Sequence, residues 1–166
     1  MRQKSPVVVV MGMGAGKSML FMLPASYSTG VTVVVVPLVS LRGNLMDRCD
    51  KTGIECVEWD SRKPHEWASI VLVTPESAVS EGFGNFINQQ RAMGRLDRIV
   101  IDECHVVLDL TKGWRTRILG LWDLVKTETQ LVYLTAIIRP RDEAEFIRLM
   151  GLPAKEKSYW FRGVTI

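Results

Sequence analysis

The sequence predicts an α/β domain with helices packed on both faces of a mainly parallel sheet. Runs rich in valine and isoleucine recur at residues 7–10, 31–36, 69–73, 98–101 and 130–134, with a weaker one at 54–58. The segments between them are long enough to hold helices, and strands that alternate with helices pair in parallel. The runs are continuously apolar rather than alternating, as strands covered on both faces are. No internal repeat, low-complexity tract or linker interrupts the 166 residues, so residues 1–166 read as one domain.

Taken in order, the first run (Val7 to Val10) is β-branched and feeds MGMGAGKS at 11–18. The strict phosphate-loop expression GxxxxGK[ST] requires a glycine where this chain has Met11, so the expression is missed at one position. The physical requirement is narrower. A buried strand must deliver a loop whose N–H groups converge, and the loop must open a helix whose positive end faces the anion. Gly12, Gly14 and Gly16 supply backbone freedom, Lys17 a cation and Ser18 a hydroxyl for a metal. A plain glycine-rich turn from strand to helix satisfies the same residues, and the loop alone leaves both readings open.

The second run leads into Pro37 to Leu41 and the run at 69–73 into Thr74 to Glu76. Each places a hydroxyl and a proline where a strand turns into a helix, and exposed N–H groups there can bind backbone phosphates. Ordinary helix capping explains Thr74 and Pro75 equally well. The run at 98–101 ends in Asp102, Glu103, Cys104 and His105. Ligands of open parallel sheets sit at the carboxyl ends of strands, where an acid pair suits a Mg²⁺ ligand and a base for an attacking water. Acids favouring a helix N-terminus are the bland alternative. The run at 130–134 is followed by Thr135, Ala136 and Ile137. A last helix is signalled by Pro140, Asp142 and Glu143 at its start, Ala144, Ile147 and Met150 at helical spacing, and Gly151 and Pro153 as a stop.

Hydrophobic content of 47% and charged content of 23% are ordinary for a globular protein, so disorder is not the default, and a net charge of +3 is far below the basic stripe that announces nucleic-acid binding unaided. Cys49, Cys56 and Cys104 are odd in number and lack CxxC spacing, which suggests neither a zinc site nor a disulfide framework. No stretch reaches the length of a membrane span, and the valine run is too short for a signal segment. The expectation is an intracellular chain without a membrane partner.

MGMGAGKS, PLVSL, VTPE, DECH and LTA, in this order, resemble the first RecA-like domain of superfamily 2 helicases, and most of all the RecQ group of DNA helicases. That group carries a Met at the place of Met11 and a helix with Leu-Pro-Ala, as in Leu23, Pro24 and Ala25. The resemblance runs from about residue 6 to the end, where SYWFRGVTI looks like the link toward a second domain. It implies a three-layer RecA-like P-loop NTPase domain that binds ATP and Mg²⁺, within a motor that unwinds DNA 3′ to 5′, nuclear in a eukaryote. Met11, Gly12, Met13, Gly14, Ala15, Gly16, Lys17 and Ser18 form the phosphate loop, with Lys17 on the β and γ phosphates. Ser18 and Asp102 hold Mg²⁺, Glu103 positions water, and His105 senses the γ-phosphate. Pro37, Ser40, Thr74 and Pro75 face single-stranded or partly duplex DNA. Trp114 and Arg115, in the stretch TKGWRTR, fall where RecQ-like proteins carry an aromatic-rich loop, and an aromatic among cations fits base stacking. The other tryptophans are assigned to packing.

The chain departs from the family at three places. Leu110 replaces the first tryptophan of the aromatic-rich loop, and Ile137 replaces a hydroxyl residue that links hydrolysis to unwinding. Only Met1 to Ser5 precede the first strand, where adenine recognition would lie, and the second RecA-like domain with its arginine finger is expected to be missing. A single such domain is expected to bind Mg-ATP weakly, hydrolyse it slowly and unwind nothing. A small P-loop kinase, a decayed non-catalytic interaction module and a DEAH-type RNA helicase are the competing readings.

Overall fold

In a computed structural model of the chain, the structure describes residues 6–12, 16–37, 39–63, 68–104 and 129–163. Seven strands form one sheet: β1 (Val7–Val10), β2 (Val31–Val35), β3 (Cys56–Glu58), β4 (Ile70–Val73), β5 (Leu96–Ile101), β6 (Gln130–Thr135) and β7 (Tyr159–Arg162). Their order is β3-β4-β2-β5-β6-β1-β7, and every pairing among them is parallel. The described helices are α1 (Met19–Tyr27), α2 (Val39–Lys51), α3 (Pro75–Ala78), α4 (Glu81–Ala92) and α5 (Glu143–Leu149). None of them is long and apolar enough to cross a membrane.

The period of two along each strand divides the core into two layers. Val8, Val10, Val33, Val35, Ile99 and Ile101 face one side, where Phe83, Phe86 and Ile87 of α4 and Phe146 of α5 cover them. Val9, Val34, Leu72, Val100 and Leu134 face the other, under Phe21, Met22 and Ala25 of α1 and Leu45 and Cys49 of α2. Helices therefore cover both faces, which is why the strands read as unbroken apolar runs rather than alternating ones. The six runs correspond to β1 through β6.

The seventh strand has no such signature. Tyr159 to Arg162, read in sequence as a link, instead pairs with β1 along Val7↔Tyr159 to Val10↔Arg162. As an edge strand it is covered on one side only: Trp160 is half-buried against Phe146 (ring centroids 6.0 Å apart), while Tyr159 and Phe161 stay exposed. Trp59 likewise packs on Phe83 and Phe86, at 5.3 and 4.9 Å. The last helix opens as a 3-10 turn over Pro140–Asp142 and becomes α-helical from Glu143. It stops at Gly151, whose φ of 62° suits a residue without a Cβ.

Candidate functional site

The parallel sheet carries β1, β2, β4 and β5 to one edge, and the segments singled out in the sequence leave from that edge. After β1 the chain passes Met11 and Gly12 to Gly16, Lys17 and Ser18, then enters α1. Gly16 has φ 80°, a left-handed conformation that costs a glycine nothing. A Cβ at Gly12 would meet nothing within 4 Å, so packing among the described residues does not demand a glycine there. The turn into α1 closes through Met19 N to Gly16 O (3.0 Å) and Leu20 N to Lys17 O (3.1 Å). Met13, Gly14 and Ala15 lie outside the described residues.

After β5, the Asp102 amide donates to Val35 O at 3.0 Å, and the Asp102 carboxylate accepts the Glu103 amide at 2.9 Å. Glu103 has φ 48°, the one positive φ at a described residue other than glycine. L-residues pay about 1–2 kcal/mol for that region, and such strain concentrates at functional sites. The conformation aims Glu103 at the glycine loop: Lys17 Nζ lies 2.7 Å from Glu103 Oε1, with the side chains 12% and 18% exposed. The loop after β1 and the acid pair after β5 are thus joined by an ion pair.

Between them β6 ends in Thr135, fully buried, whose carbonyl accepts the Met11 amide at 3.0 Å. Its hydroxyl lies within hydrogen-bonding reach of the Cys104 thiol, and burial pushes that thiol far above its ordinary value. Ile137, two residues on, is exposed. Ser18 is 7% exposed and heads α1 without capping it. Its hydroxyl instead accepts from Arg48 Nη1 of α2 at 2.8 Å. Nothing in the sequence points to Arg48, since a cation in the last turn of a helix is satisfied by the helix dipole.

The candidate nucleic-acid segments share this edge, because Val35 and Val73 are in register and Pro37 and Thr74 follow them. Thr74 caps α3 by accepting the Ser77 amide at 3.2 Å, and Pro75 is buried at the first helical position. Pro37 is half-buried, and Ser40 falls in the first turn of α2. Beside them a cleft of ≈ 610 Å³ includes Trp59, Arg62, Lys63 and Ser80 in its lining. His105, Trp114 and Arg115 lie outside the described residues, as do Leu110, Trp67 and Trp122.

Among the described residues no group of three or more His, Cys, Asp or Glu could hold a metal. The donors on this edge, one hydroxyl and carboxylates beside a lysine, suit Mg²⁺, which takes one or two carboxylates plus ligand phosphates rather than an all-protein cage.

Fold and edge together define a three-layer RecA-like domain. Residues 1–146 match the DEAD/DEAH box helicase family, and the chain belongs to that family. Among curated proteins it is similar to the putative ATP-dependent DNA helicase Q1 of Caenorhabditis briggsae, 30% identical over 128 residues, covering 68% of this chain and 21% of that protein. It is 27% identical over 171 residues to the ATP-dependent DNA helicase Q5 of Mus musculus, covering 92% of this chain and 17% of that protein. The chain thus spans about a fifth of the length of these RecQ-type relatives. Its fold resembles that of the DUF1998 helicase MrfA bound to DNA, with a TM-score of 0.68 at 19% identity over 95% of this chain and 25% of that one.

Proposed function

We infer that residues 1–166 are the ATP-binding and nucleic-acid-binding portion of a RecQ-like DNA helicase motor, working inside the cell and, in a eukaryote, in the nucleus. The observation that supports this most is the Lys17–Glu103 ion pair, which sets the loop cation and the strand-end acid against each other at 2.7 Å. Without phosphates the two charges neutralise one another. When the β and γ phosphates of ATP enter the loop, Lys17 turns to them, and Glu103 is released to orient the attacking water. Ser18 and Asp102 are the residues that would hold Mg²⁺, which would neutralise charge developing on the phosphates. His105 reports the γ-phosphate toward the strand-binding side.

Pro37, Ser40, Thr74 and Pro75 line the track for single-stranded or partly duplex DNA, with Trp114 and Arg115 supplying a stacking surface and a phosphate contact. Thr74 also caps α3 by accepting the Ser77 amide, so its part in the track is to hold the turn that follows β4 in place. RNA is the alternative strand for such a backbone-reading track. A second RecA-like domain is the partner that supplies an arginine finger, a group worth about 10³–10⁵ in rate. A polypeptide of these 166 residues alone therefore hydrolyses ATP slowly and unwinds nothing.

The test is ATP turnover by the purified polypeptide with and without single-stranded DNA, beside Lys17→Ala. Slow turnover that DNA stimulates and Lys17→Ala abolishes supports the motor reading. Turnover indifferent to both DNA and RNA supports a small-molecule P-loop enzyme instead.

A further inference from the structure

The hydroxyl assigned above to a divalent cation already has a cationic partner. Arg48 Nη1 donates to Ser18 Oγ at 2.8 Å, and no other partner of that oxygen occurs among the described residues. Ser18 is 7% exposed, whereas Arg48 starts from an exposed position near the end of α2 and reaches inward. The spacing of the two helices does not depend on this contact. Phe21, Met22 and Ala25 of α1 and Leu45 and Cys49 of α2 share one apolar layer against the sheet, which fixes how far Arg48 stands from Ser18.

A serine oxygen has two acceptor lone pairs, and a guanidinium stays charged at any pH a protein survives. Mg²⁺ demands near-octahedral geometry with oxygens at about 2.0–2.1 Å. A guanidinium on the same oxygen both occupies a lone pair and repels the arriving cation. We propose that Arg48 gates the cation at this site: it holds the Ser18 hydroxyl in the nucleotide-free protein and must leave before Mg²⁺ can be ligated there. The proposal rests on the reading of the loop as a Mg-nucleotide site. Arg48 is a positioning residue, acting through Ser18.

Both groups are then engaged within the protein. Glu103 engages the cation meant for phosphate, and Arg48 engages the oxygen meant for the metal. Entry of a magnesium nucleotide exchanges both internal pairs for ligand contacts, and the released guanidinium returns to solvent from its exposed position.

The test titrates Mg²⁺ into the full chain with a fluorescent ADP analogue, read by anisotropy, for the parent, Arg48→Ala and Arg48→Lys, with a metal-free series in EDTA. Arg48→Ala is expected to lower the Mg²⁺ concentration at half-maximal binding about tenfold, equivalent to about 1.4 kcal/mol, without raising the metal-free affinity. Arg48→Lys, which keeps a donor and a charge, falls between the two. In a Ser18→Ala background the Arg48→Ala change has no effect on the midpoint. A midpoint for Arg48→Ala equal to or above the parent's overturns the proposal, as does the same effect persisting without the Ser18 hydroxyl. If the parent binds the magnesium nucleotide and is blind to Arg48, this proposal alone fails. If a cooperatively folded parent binds no nucleotide with or without Mg²⁺, the reading of the loop fails and takes the proposal with it. Arg48 contributes no core volume, so each Arg48 variant is expected to melt cooperatively.

Discussion

Replacing Glu103 by glutamine should destabilise the nucleotide-free protein and do so far less in the presence of a magnesium nucleotide. The side chains of Lys17 and Glu103 are 12% and 18% exposed at 2.7 Å. An exposed pair is worth under about 1 kcal/mol, and stranding one partner of a fully buried pair costs about 3–5 kcal/mol. This pair lies between those limits, so the expected loss is about 2 kcal/mol. In a domain of this length each kcal/mol moves Tm by about 2–4 °C, which gives a fall of about 4–8 °C. With Mg-ADP at saturation, phosphates replace the carboxylate as the partner of Lys17, and the deficit narrows. Glu103→Gly separates charge from backbone, because glycine relieves the cost of φ 48°. It should melt no lower than Glu103→Gln. The assay is thermal unfolding by circular dichroism for the three proteins with and without nucleotide. An unchanged Tm for Glu103→Gln without nucleotide, or an equal deficit with it, refutes the reasoning.

Other outcomes follow from the same structure. Leu134→Ala removes a fully buried side chain of β6; it should cost about 2–5 kcal/mol in chemical denaturation. Glu143 is held below the ordinary carboxylate range by hydrogen bonds from Lys155 and then Arg162. Its folded value is depressed, so its stabilisation is present above the unfolded value and is lost as pH falls through the folded one. Glu143→Gln should therefore flatten the acid limb of the stability curve and leave the alkaline limb alone. In Gly30→Ala the new Cβ would collide with the carboxylate of Asp97. Displacing Asp97 breaks its bond from Ser28, and a lower Tm that Asp97→Ala partly restores is the expected readout. Cys49 and Cys104 are buried; both should resist maleimide until the protein unfolds.

What could be read from the sequence follows from how each feature is buried. β1, β2, β4, β5 and β6 are legible because strands covered on both faces are apolar over most of their length, whereas β3, at the far edge and ending in exposed Glu58, leaves only a weak run. β7 is not legible, since an edge strand with one covered face needs only Trp160 inside. Gly16 is legible because its φ of 80° requires the residue type. The left-handed Glu103 is not, for a glutamate carries no mark of the conformation it will adopt. Lys17, Ser18, Asp102 and Glu103 are legible as members of short local patterns. Arg48 meets Ser18 across 30 residues through helix packing, and no local pattern encodes a contact set by two helices lying side by side.

The central claim is that the loop after β1 grips a magnesium nucleotide through Lys17. Thermal unfolding of the parent and of Lys17→Ala, each with and without Mg-ATP, tests it most directly. At a hundred times the dissociation constant, binding adds about 2.7 kcal/mol, so the parent's Tm should rise by about 5–11 °C while a folded Lys17→Ala does not move. A cooperatively folded parent whose Tm ignores Mg-ATP would contradict the account.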